Sequence, residues 1–67
     1  MINWKEQSEG DYIAIEGDYM LRVEDMGDWY WWNVSYKDND VKFGNALQRT
    51  NAKLFAEQAM NKHFKLK

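Results

Sequence analysis

The stretch Asp28-Trp29-Tyr30-Trp31-Trp32-Asn33-Val34-Ser35-Tyr36 holds three of the chain's four tryptophans, and its reading sets the reading of the rest. Successive side chains of a strand point to opposite faces. One face then carries Tyr30, Trp32, Val34 and Tyr36, an apolar set that suits a core. The other carries Trp29, Trp31, Asn33 and Ser35. Two tryptophans on that second face exceed what so small a chain is expected to bury. Left in water, they form a contact surface.

Upstream, Tyr19-Met20-Leu21-Arg22-Val23-Glu24 alternates apolar and polar residues with the period of a half-buried strand. The turn Asp25-Met26-Gly27-Asp28 joins it to the tryptophan strand, so antiparallel pairing is expected. Lys37-Asp38-Asn39-Asp40 is a second turn, and Val41-Lys42-Phe43 a short returning strand that stops at Gly44. Tyr12–Glu16 is short and β-rich, either a fourth strand or an edge extension. Residues 1–11 read as an arm ending in a polar loop, with Trp4 tucked against the body.

After Gly44 the period changes. On a helical wheel Ala52, Phe55, Ala56, Ala59 and His63 share one stripe, with Met60 at its edge. Leu54 lies nearly opposite, either as plain exposure or as a contact point. Thr50 is the expected N-cap, although Lys53 stands where a capping box has Glu or Gln. The expected fold class is α+β: an antiparallel three- to four-stranded meander over residues 12–44, with one C-terminal helix over 50–64 packed on one face. Sixty-seven residues make one domain, 1–67, whose first part is the arm 1–11.

Composition narrows the function classes. The chain has no cysteine and one histidine, so neither a disulfide nor a thiolate or zinc site is expected. Aromatics at 16% are the expected source of core area. No apolar run reaches the roughly 20 residues of a membrane span, and the start lacks a signal-peptide layout. The expected location is the cytoplasm, with no membrane partner. Charge is uneven: residues 1–40 sum to −7 and residues 41–67 to +5. The plain reading is an acidic sheet and a basic helix that attract each other weakly.

Catalytic motifs are missing. There is no GxxxxGK[ST], GxGxxG or HExxH. His63 falls on the buried stripe and reads as a hydrogen-bonded packing residue. Asp38, Asn39 and Asp40 suit a hairpin turn better than a calcium loop, which needs a later Gly and Glu. The expectation is no enzyme, no cofactor and no metal.

What remains is binding. Trp29 and Trp31 share the outer face with Met20 and Arg22 from the paired strand, and these residue types are enriched in protein interfaces. Candidate binding residues are therefore Trp29, Trp31, Met20 and Arg22, with Leu54 on the helix. The competing expectation is that the arm folds over this face and hides it. Rings on a sheet also form stacking platforms for single-stranded nucleic acid, but those need a basic rim, and this half of the chain is acidic. A homodimer through the open face is a further alternative.

The segments Trp32-x-Val34, Gly44-x-Ala46 and Ala52-Lys53-x-x-Ala56-Glu57-x-Ala59 resemble small βββα proteins encoded by tailed bacteriophages. They are also loosely similar to the partial RNase H-like module of HicB antitoxins, whose glycine-to-helix spacing is usually shorter. The resemblance spans about Tyr19 to Phe64 and rests on packing positions. It implies a small accessory protein that binds a host or phage macromolecule, as an inhibitor or otherwise, in the host cytoplasm. No functional residue carries over.

Overall fold

The computed structural model of the chain describes residues 2–66; Met1 and Lys67, the latter counted in the basic half, lie outside the described residues. The fold is α+β. Five antiparallel strands, β1 (Lys5–Ser8), β2 (Asp11–Glu16), β3 (Tyr19–Asp25), β4 (Tyr30–Tyr36) and β5 (Asn39–Ala46), follow one another in space in chain order. The helix α1 (Arg49–Leu66) packs on β3, β4 and β5.

The register sorts the side chains by face. Leu21 pairs with Ala14 and Val34, and Val23 with Tyr12 and Trp32. Ala14, Leu21, Val23, Trp32 and Val34 are buried, as are Ala52, Ala56 and Met60 of α1. Leu21, Val23 and Val34 are sealed from solvent, and removing each from water stabilises the fold by about 1.5–3 kcal/mol. Tyr30 and Tyr36 are half-buried against the same cluster, so the even positions of the tryptophan stretch do form the core side.

The small side chains are also positional. Gly44 does not end its strand, as the sequence suggested, because β5 runs on to Ala46. A Cβ on Gly44 would stand 2.8 Å from Trp32 Cζ2, so glycine is what lets the indole lie on the strand. At the β4–β5 turn Lys37 and Asp38 have φ of 50° and 67°, the pair of left-handed residues of a type I′ hairpin. The hairpin turn expected of these polar residues is thus present, with Asn39 and Asp40 opening β5.

Four further expectations need correction. The arm contains a strand: Lys5–Ser8 pairs with β2, with a register shift between Glu6 and Ser8. All four of its residues are exposed, so it carries no apolar alternation to read. The helix begins at Arg49, and Ala52 N–H donates to the Gln48 carbonyl at 3.0 Å. Gln48 therefore takes the N-cap position and Thr50 lies inside the first turn. At the other end the helix continues through Leu66, past Phe64. Phe55, assigned to the buried stripe, is 39% exposed, although its ring centroid lies 6.3 Å from that of Trp32.

His63 sits where the stripe placed it. It is half-buried, its Nδ1 shares a 2.8 Å hydrogen bond with Tyr19 Oη, and its ring stands edge-on to Tyr19.

Candidate functional site

The sheet has an inner face under the helix and an outer face on which no element of the described residues packs. The first question is where the N-terminal arm goes. Trp4 Nε1 donates to Glu57 Oε2 on α1 at 2.7 Å, and the Lys53 ammonium lies 5.7 Å from the Trp4 ring. Ile2 and Trp4 both pack against the inner cluster. The arm therefore joins the helix layer. It does not fold over the outer face, which overturns the competing expectation.

The same corner explains how the basic helix meets the acidic sheet. Lys53 Nζ sits 3.8 Å from the Tyr12 ring centroid, and Arg49 Nη1 donates to Tyr12 Oη at 3.3 Å. Partial burial lowers the Lys53 pKa and the nearby Arg49 charge lowers it further, while Glu57 and Glu6 oppose both. The ion pair among the described residues, Arg22 Nη2 to Glu24 Oε2 at 2.6 Å, lies within β3. The two layers meet through aromatic rings and cations here, not through sheet-to-helix ion pairs.

The outer face is assembled by the register. Ile15, Met20 and Ser35 lie in one cross-strand row, and Ile13, Arg22, Asn33 and Phe43 in the next. Glu24, Trp31 and Asn45 form a third. Ile15 is 66% and Phe43 64% exposed, while Ile13, Met20 and Trp31 are half-buried. Arg22 reaches back over the face, with its Cζ 6.0 Å from the Trp31 ring and its guanidinium held by Glu24. Asn33 is buried at the centre of this face, and its amide donates to Asp40 Oδ1 at 3.3 Å and to the Lys42 carbonyl at 3.5 Å.

Of the sequence-derived candidates, Met20, Arg22 and Trp31 stand together on this face. Trp29 does not join the ladder. It lies in the loop before β4, where Met26 N–H donates to its carbonyl at 2.9 Å. Leu54 is 47% exposed on α1, in the other layer of the domain. Ile13, Ile15 and Phe43 also belong to this face, on strands whose own alternation does not show a buried side. Alternation continued from β3 through the β2–β3 turn finds Ile13 and Ile15. It would set Phe43 opposite Trp32 on the core side, and only the register shift between Val34 and Ser35 turns Phe43 to the outer face.

Two concavities lie on the helix side. A cleft of about 660 Å³ is lined by Glu16, Asp18, Tyr19, Tyr36, Glu57 and Phe64 among others. A groove of about 230 Å³ lies between β5 and α1, lined by Trp32, Lys42, Phe55, Gln58, Ala59 and Lys62. Neither lining includes a serine, threonine or cysteine among the described residues. No group of three or more metal-ligating side chains comes together among them either. No helix among the described residues is long and apolar enough to cross a membrane.

No protein-family model matches the chain, and no curated protein or solved structure shows significant similarity to it.

Proposed function

We propose that the chain is a non-enzymatic binding protein that engages another protein through the outer face of its sheet, in the manner of the small accessory proteins it resembles. Trp31 is the central anchor, Ile13, Ile15, Met20 and Phe43 extend the apolar contact, and Arg22 supplies a polar rim. One observation carries this reading: the helix and the N-terminal arm both occupy the inner side, and apolar side chains still line the outer one. Contiguous apolar patches on small domains mark contact sites more often than they mark indifferent surface.

The test is a paired substitution, Trp31→Ala with Phe43→Ser. Loss of partner capture with far-UV circular dichroism unchanged supports the proposal. Capture that survives the double change refutes it.

A further inference from the structure

The sheet has two edges, and they are built differently. β1 is four residues long, fully exposed, and broken by a register shift, features that discourage further pairing. β5 is twice that length, contains no proline, and pairs only with β4. Its register shift is confined to the start of the strand, opposite Val34 and Ser35, so Lys42 to Ala46 form a regular, open edge.

That edge is flanked on both sides. On the outer face stands Phe43. On the helix side lies the groove of about 230 Å³, where Lys42 and Lys62 are the charged side chains and Trp32, Phe55 and Ala59 the apolar ones. Trp32 is 6% exposed, and its shielded indole Nε1 meets no acceptor among the described residues. A backbone edge, an apolar seat and two ammonium groups thus converge on one strip of the molecule.

We infer that the β5 edge takes an extended acidic peptide segment as a sixth strand, alternate carboxylate side chains entering the β5–α1 groove toward Lys42 and Lys62. Strand addition gives such a segment main-chain hydrogen bonds, and the groove selects its side chains. Charge also argues against a second copy of this chain as the occupant. Antiparallel β5–β5 pairing centred on Phe43 sets Lys42 diagonal to its symmetry mate on the same face, within reach of a long side chain of like charge, and like charges across a ladder destabilise it. The inference does not depend on the outer-face reading, since it uses the strand's edge and the opposite side.

The test uses the whole chain, ¹⁵N-labelled, titrated with the blocked peptide Glu-Val-Glu-Ile-Glu and with its lysine counterpart Lys-Val-Lys-Ile-Lys. The expected result is saturable shifts in the amides of Lys42 to Ala46 and in the Trp32 indole N–H with the glutamate peptide alone. Lys42→Glu with Lys62→Glu, both on exposed positions, should weaken that binding at least about tenfold and transfer the preference to the lysine peptide. Milder Lys42→Gln and Lys62→Gln changes should give an intermediate loss on the same fold. Three results overturn the inference: no saturation by millimolar peptide, an equal response to both peptides, or shifts centred on Ile13 and Trp31. Protection of the β5 amides in a concentration-dependent dimer without peptide overturns it too, and assigns the edge to a second copy.

Discussion

Trp4 and Glu57, separated by 53 positions in the chain, are joined by a 2.7 Å hydrogen bond from the indole N–H to the carboxylate. This contact fixes the side on which the N-terminal arm lies. Through it the arm thickens the helix layer and leaves the outer face of the sheet bare.

Because the acceptor is charged and partly shielded, the bond should stabilise the fold by roughly 1 kcal/mol. Trp4→Phe keeps the ring and removes the donor, and Glu57→Gln removes the charge. A double-mutant cycle from urea midpoints should give a coupling of about 0.5–1.5 kcal/mol between them. A coupling of zero would mean that the arm is not held on the helix.

Gly44 faces the Trp32 indole so closely that a methyl group there forces backbone or ring to move. Gly44→Ala should therefore cost about 1–3 kcal/mol by overpacking. In a domain of this size that lowers the melting temperature by about 5–20 °C. Gly10→Ala should also destabilise, for two reasons. Its φ is +83°, and the added carbon would meet Asp25 Oδ2 at 2.7 Å.

Asp11 holds two turns together. Its carboxylate accepts from Asp25 N–H at 3.0 Å and from Ser8 Oγ at 2.9 Å. The backbone bond from Asp25, the Ser8 hydroxyl and the Arg22 charge together outweigh a small desolvation effect and hold its pKa below the ordinary aspartate value. A carboxylate with a depressed folded pKa contributes stability that is fully present above its unfolded value of about 3.9. That contribution is lost as pH falls through the folded value. Urea unfolding of the native chain and of Asp11→Asn should therefore differ at pH 6 and converge toward pH 2. A gap that persists at pH 2 would show that the side chain acts through packing and not through its charge.

Much of the core was legible because period-two alternation is unambiguous where a strand is long and buried on one side. Tyr19, Leu21 and Val23 declared themselves in this way, as did Trp32 and Val34, and the register sets them opposite one another. Lys5–Ser8 did not, because an exposed edge strand has no buried side to leave a pattern and is made by its neighbour's backbone. The helix start was misplaced for a related reason. Thr50 is a stronger N-cap residue than Gln48, yet the chain leaving Ala46 reaches helical geometry at Arg49. On the candidate site, Met20, Arg22 and Trp31 followed from alternation alone. The route of the arm depended on a contact across 53 positions, which no local pattern encodes.

The open outer face is tested most directly by partner capture with the native chain and with the Trp31→Ala, Phe43→Ser double variant, each confirmed as folded by circular dichroism. The expected result is a partner retained by the native chain and lost by the variant, with the unfolding free energy changed by less than about 1 kcal/mol, as for surface positions. Undiminished capture by the folded variant would contradict it.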